Sequence, residues 1–177
     1  QNGLTFLETE RYYLRTLTLS DIDSNYSRWL NDQNVVQHNS HGRFPQTPET
    51  LKAYVQSTSV SNHQIVLAVV DKATNNHIGN ISLQQINWVD RQAEIAFLLG
   101  ETTYRGQGVM YEAGKKLIEH AFETLNLHRV HCGTSSENTA MQRLAEKLGM
   151  KLEGRRKEAI FNSGMYYDII EFGIINQ

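Results

Sequence analysis

Only one cysteine, Cys132, stands among the 177 residues, so no disulfide can close within the chain. Two prolines, Pro45 and Pro48, are the only ones, and no stretch rich in Pro, Gly or Ser marks a linker, repeat or low-complexity segment. No apolar run approaches the ~20 residues that a membrane-spanning helix needs. Charge of one sign is missing too. The 17 Lys and Arg stand against 19 Asp and Glu, a formal net charge of −2, without the basic block that nucleic-acid binding requires. The seven histidines form no HExxH arrangement, and the lone cysteine pairs with none of them at zinc spacing, so no metal site is expected. A Walker loop, Gly-x4-Gly-Lys-Ser/Thr, is also absent.

Hydrophobic residues make up 40% and charged residues 20%, as in an ordinary globular protein. We expect one domain over residues 1–177, in a reducing cytoplasm, with no membrane or nucleic-acid partner. Cys132 falls in a predicted strand, where a buried, inert thiol is expected.

Residues 11–17 read as a first strand. Ser20, with Asp23 three residues on, reads as the cap of a helix running to Asn31 and carrying Tyr26, Trp29 and Leu30. Residues 34–46 lack periodicity and read as a loop. Thr47 caps a second helix with Pro48 in its first turn. A hairpin follows over residues 65–70 and 78–86, then a strand over 92–99. An amphipathic helix over 109–124, a strand over 129–134 and a helix over 138–147 come next, the last stopped by Gly149. Strands 151–157 and 166–174 close the chain around Asn162-Ser163-Gly164. This order predicts an α+β fold with a mixed, mostly antiparallel sheet of seven strands and helices on both faces.

The most informative stretch is Tyr104-Arg105-Gly106-Gln107-Gly108-Val109-Met110, between a strand and a helix. Such a turn leaves backbone N–H groups uncovered at the positive end of a helix dipole, where phosphate binds. The glycines admit a ligand where a Cβ would collide, and Arg105 adds a fixed charge. A dinucleotide fingerprint would need glycine at position 111, which holds Tyr111. Arg-x-x-Gly-x-(small) fits better. A plain strand-to-helix turn uses glycines in the same way, so more residues are needed to decide.

Those residues are present. Arg105 to Met110 resembles the acetyl-CoA loop of the GNAT N-acetyltransferases. Arg11-Tyr12-Tyr13-Leu14-Arg15 with Asp21, Leu125-Asn126-Leu127-His128-Arg129-Val130 and Glu137-Asn138-Thr139-Ala140 resemble the branch that acetylates ribosomal-protein N-termini, the RimJ/RimL type. So do Leu144, Glu146-Lys147-Leu148-Gly149-Met150, Leu152-Glu153-Gly154, Gly164-Met165-Tyr166 and Asp168. The resemblance spans nearly the whole chain. It implies a GNAT fold, acetyl-CoA as cosubstrate, an amine acceptor such as a protein N-terminus, and a monomer or homodimer. Two positions depart from the pattern. Met110 stands where most such loops carry Gly or Ala, and Met141 stands where relatives often have Ser, a proposed acid for the departing thiolate.

Acetyl transfer to an amine needs a neutral nucleophile. For a lysine-like amine at pH 7 that costs about 4 to 5 kcal/mol, for an N-terminal α-amine only about 1. Glu94, on the strand before the loop, is the candidate base; a solvated strand glutamate is the other reading of it. The developing oxyanion needs donors worth ~3 kcal/mol, which the resemblance assigns to backbone N–H groups around Phe97, Leu98 and Leu99. The thiolate is a fair leaving group, and no acid is assigned; Tyr104 and Tyr111 read as packing or binding residues. By the same resemblance, Arg105, Gly106, Gln107, Gly108, Val109 and Met110 hold the pyrophosphate, Asn138 contacts the pantetheine arm or orders a water, and Arg143, with Lys147 one turn on, faces the nucleotide end. A solvated basic face is the other, and simpler, reading of Arg143 and Lys147. The loop over residues 34–46, with His38, His41 and Arg43, and the turn over 162–164 are expected on the acceptor side; they hold no carboxylate cluster, but Asp32 and Glu49 flank the region and keep a polycationic acceptor open. The acceptor alternatives are a polyamine, an amino sugar or an antibiotic. Two further classes stay open: an acyl-CoA-binding module without turnover, and a mononucleotide-binding protein.

Overall fold

The computed structural model describes residues 3–37 and 43–177. His38 and His41 lie outside the described residues. The elements are β1 (Thr5–Glu8), β2 (Tyr12–Thr16), a 3-10 turn (Leu19–Asp23), α1 (Asn25–Leu30), α2 (Gln33–Val36), α3 (Pro48–Val60), β3 (Ile65–Asp71), β4 (Asn76–Asn87), β5 (Gln92–Leu99), a second 3-10 turn (Thr102–Tyr104), α4 (Val109–Glu123), β6 (Arg129–Ser135), α5 (Thr139–Lys147), β7 (Lys151–Asn162) and β8 (Met165–Ile175). They form one eight-stranded sheet in the order β1-β2-β3-β4-β5-β6-β8-β7. Every neighbouring pair is antiparallel except β5 and β6, which run parallel.

The sheet thus has eight strands, not the seven read from the sequence. The extra one is β1, an edge strand of four residues in which only Leu7 is even partly buried. Without a buried face it has no alternation to read. The helix start also differs. Thr18, not Ser20, caps the first turn, and Asp21, not Asp23, closes its capping box. Arg15 decides this, because its guanidinium takes both Asp21 oxygens at 2.9 and 2.8 Å in the protein interior. The loop expected over residues 34–46 begins inside the short helix α2.

Helices cover both faces, as the pattern predicts. On β3, Leu67 and Val69 point into one core and Val66 and Ala68 into the other. A strand buried on both faces reads as a continuous apolar run rather than an alternation. The first core holds Ala113 and Leu117 of α4 and Ala145 of α5. The second holds Tyr26, Trp29 and Leu30 of α1 and Leu51 and Val55 of α3. At the far end, Ser163 and Gly164 both take positive φ, 51° and 82°, the two-residue turn that matches hairpin twist.

Candidate active site

The parallel junction is short. β5 pairs with β6 only through Gln92↔Arg129, Ala93↔Val130 and Glu94↔His131. Past Glu94, β5 keeps β4 along one edge as far as Leu99, and β6 keeps β8 as far as Ser135. Their facing edges have no strand partner there among the described residues. The opening is a cavity of about 720 Å³. Glu94, Phe97, Leu98 and Leu99 line one wall, Cys132 and Thr134 the other, and Asn138, Met141, Arg143 and Lys147 the side formed by α5.

The glycine loop stands at its mouth. Arg105, Gly106, Gly108, Val109 and Met110 line the cavity. Gly106 and Gly108 take φ of 78° and 75°, values a side chain disfavours. Gly108 is the cap residue of α4, and no side chain caps this helix. Loop carbonyls are used internally: Thr102 accepts from Arg105 N–H, Tyr104 from Gln107 N–H, and Gly108 from Glu112 N–H. The N–H groups of Gly106, Gly108, Val109, Met110 and Tyr111 have no protein acceptor among the described residues, so they are open to an anion.

Met110 fits because its neighbour is small. It is 8% exposed, and a Cβ added at Gly79 would come within 2.7 Å of its terminal methyl. The larger loop residue therefore packs inward instead of blocking the mouth.

Other predicted residues fall as follows. Glu94 is half-buried at the throat where the strands part. Asn138 lines the cavity, with its Oδ1 accepting from Met141 N–H at 3.1 Å to cap α5. Arg143 and Lys147 are exposed, yet both face the cavity. Tyr104 donates its hydroxyl hydrogen to Asp71 at 2.5 Å. That bond raises the Tyr104 pKa and lowers that of Asp71. Met141 offers no proton, and its side chain packs against the core. Burial, with the Glu94 charge nearby, pushes the Cys132 thiol up to about 12, so it is inert at neutral pH. Arg105 donates to the Asn34 carbonyl at 2.7 Å. Arg43 donates to the Phe161 carbonyl at 3.2 Å, and Asn162 to the Gln37 carbonyl.

Asn34, Val35 and Gln37, from the segment expected to line the site, reach the cavity, as does Glu137. Sequence reasoning missed the contacts of Trp29. Trp29 fits flat against Gly100, where a Cβ would meet its ring at 1.9 Å. Its indole N–H donates to Glu101 at 3.0 Å, and Arg28 reaches the same oxygen at 2.8 Å. No local signal encodes such contacts across 72 and 73 residues. Among the described residues, no group of three His, Cys, Asp or Glu is placed to hold a metal, and no helix is long and apolar enough to cross a membrane.

A mixed sheet split at its parallel junction, with an uncapped helix N-terminus at the mouth, defines the acetyltransferase fold that the sequence resembles. The family model of the acetyltransferase (GNAT) domain matches residues 11–151, and the chain belongs to that family. Over 173 residues it is 27% identical to the uncharacterized N-acetyltransferase p20 of Bacillus licheniformis, covering 97% of this chain and 96% of that protein. It is 31% identical over 101 residues to the spermidine N(1)-acetyltransferase of Vibrio cholerae, 57% of this chain and 58% of that one. Several curated relatives are matched over only about half their length. The fold superposes on that of RimL, the ribosomal L7/L12 alpha-N-protein acetyltransferase solved with coenzyme A, with a TM-score of 0.87 over 97% of both chains at 19% identity.

Proposed function

We propose that this protein is an acetyl-CoA-dependent N-acetyltransferase of the RimJ/RimL type, acting on the α-amine of a protein N-terminus, with residues 1–177 working as one unit. The carrying observation is the split between β5 and β6 with the open amides of α4 at its mouth. It fits a thioester arm lying along one strand edge with its diphosphate on a helix N-terminus.

In this reading the open amides of Gly106, Gly108, Val109 and Met110 bind the diphosphate; the Gln107 N–H is taken by the Tyr104 carbonyl. Arg105 adds positive charge beside them, and Arg143 and Lys147 do so farther along α5. Asn138 shapes the arm's channel by holding the first turn of α5. The free edge of β5 at Phe97, Leu98 and Leu99 supplies N–H donors to the thioester carbonyl. Glu94 takes the proton that the amine must lose, directly or through a water. Bound acetyl-CoA supplies an acetyl group on a leaving group that tolerates negative charge.

Charge supports an α-amine over a polyamine. The cavity's carboxylates are Glu94 and Glu137, against Arg105, Arg143 and Lys147. Residues 38–42, His-Asn-Ser-His-Gly, add none. A polycation would need an acidic cluster. The spermidine acetyltransferase among the relatives makes that acceptor the second reading.

Two measurements test this. Coenzyme A at 100 times its dissociation constant should stabilise the fold by about 2.7 kcal/mol, and NAD or ATP should not. Free-thiol release from acetyl-CoA should then be fastest with peptides bearing a free N-terminus. Faster turnover of spermidine, or of an Nα-blocked lysine peptide, would overturn the α-amine assignment.

A further inference from the structure

Arg11 opens the first motif singled out in the sequence, yet nothing in the proposed chemistry uses it. It sits on the turn between β1 and β2, outside the cavity, and reaches the glycine loop from behind. Its Nη2 donates to the Gln107 carbonyl at 3.1 Å. The guanidinium is itself held: Nε donates to Glu112 Oε1 at 2.8 Å, and the Arg11 backbone N–H donates to Glu112 Oε2 at 2.9 Å. Thr9 donates its hydroxyl hydrogen to that same Oε2 at 2.5 Å. Glu112 lies in the first turn of α4. Arg11 is therefore fixed to the helix whose N-terminus forms the site.

The consequence follows from peptide geometry. A trans peptide is planar, so the Gln107 carbonyl and the Gly108 N–H point in opposite directions. With the carbonyl drawn out to Arg11, the N–H turns the other way. Gly106 and Gly108 line the cavity while Gln107 and Arg11 do not. Flipping this peptide plane changes ψ of Gln107 and φ of Gly108, and glycine at 108 makes the change cheap because it resists no value of φ. The loop's own sequence therefore does not hold the amide toward the ligand.

We propose that Arg11 is a positioning residue for the diphosphate of the acetyl donor: by holding the Gln107 carbonyl, it keeps the Gly108 N–H turned into the site. This rests on the reading of residues 105–110 as the diphosphate loop. Arg11 touches no reacting group, so its removal weakens donor binding and leaves the chemical step intact.

The test compares two donors, acetyl-CoA and S-acetylpantetheine, which lacks the diphosphate. In Arg11→Ala, KM for acetyl-CoA should rise about tenfold, the scale of one charge-assisted hydrogen bond. The kcat and the KM for the amine should stay unchanged, and kcat/KM with S-acetylpantetheine should equal that of the unmodified protein. Arg11→Lys keeps one donor but loses the fork that bonds Glu112 and Gln107 together, and should fall between. If Arg11→Ala fails to fold, Glu112→Gln, which loosens the same guanidinium, should give a smaller, equally donor-selective rise. Equal losses with both donors, or no change with acetyl-CoA, would overturn the proposal. If the unmodified protein uses both donors equally well, the loop does not read diphosphate at all, and the reading beneath the proposal fails with it.

Discussion

Replacing Asp21 by Asn should be among the most damaging single-atom changes available in this protein, although Asp21 does not line the cavity between β5 and β6. Asp21 is 5% exposed and Arg15 is 9% exposed. Asp21 accepts from Arg15 Nη1 and Nη2 at 2.9 and 2.8 Å, from Thr18 N–H at 2.8 Å and from the Thr18 hydroxyl at 3.3 Å. Asparagine leaves the guanidinium buried without a counter-charge. His77 Nδ1 lies 3.7 Å from Asp21 but brings no negative charge, and burial lowers its pKa toward the neutral form. Removing one partner of a buried pair costs about 3–5 kcal/mol. At about 2–4 °C per kcal/mol for a chain of this size, the melting temperature should fall by about 6–20 °C in a calorimetric scan. The double substitution Arg15→Met with Asp21→Leu removes both charges and leaves mainly the Thr18 N–H without its acceptor, so it should be less destabilised than Asp21→Asn alone. A loss under about 2 °C for Asp21→Asn, or a double variant worse than the single one, would refute the reasoning.

Glu94→Gln should lower kcat/KM by about 100-fold or more with a lysine-like amine, and by less with an α-amine that is already partly neutral; coenzyme A affinity, read by calorimetry, should not move. Met110→Ala should cost about 2–5 kcal/mol in urea unfolding, because the methyl against Gly79 is lost from the core. Cys132, with its thiol pushed up to about 12, should resist a thiol reagent at pH 8 in the native protein and react once unfolded; labelling within minutes in native buffer refutes this. For Asp21, burial pushes the carboxyl up, but the Arg15 guanidinium and Thr18 N–H outweigh it and hold it below the usual range. Its stabilisation is therefore complete above the ordinary carboxylate pKa of about 4 and lost as pH falls through the lower folded value; a stability curve flat from pH 6 to pH 2 would contradict it.

Features carried by local periodicity or backbone need were legible in the sequence. The glycine loop lies between a strand and an amphipathic helix as read, and Gly149 takes φ of 89° at the end of α5. Features fixed by distant partners were not legible. Both Thr18 with Asp21 and Ser20 with Asp23 spell a capping box, and only the buried Arg15 chooses between them. The parting of β5 from β6 after three residue pairs is a backbone event that side-chain pattern does not record. Arg11 to Gln107 spans 96 residues and Arg105 to Asn34 spans 71, distances at which no motif speaks.

The glycine loop poses a physical problem that these distant contacts solve together. A loop that binds an anion through its amides must leave those amides unpaired, and so cannot be stiffened through them. Here the stiffening comes through carbonyls and side chains. Arg11 holds the Gln107 carbonyl from the β1–β2 side. Trp29 and Arg28 hold Glu101 at the start of the loop, and Arg105 reaches back to the Asn34 carbonyl. Asp71 holds Tyr104 between them. Within the loop these contacts use a carbonyl and side chains rather than backbone amides, leaving the open N–H groups for the ligand. Three of these contacts come from α1 and α2: Arg28 and Trp29 from the first, Asn34 from the second. In the proposed reading, with the glycine loop taking the donor and residues 34–37 bordering the acceptor, a change in Trp29 or Glu101 should be felt in the affinity for both substrates.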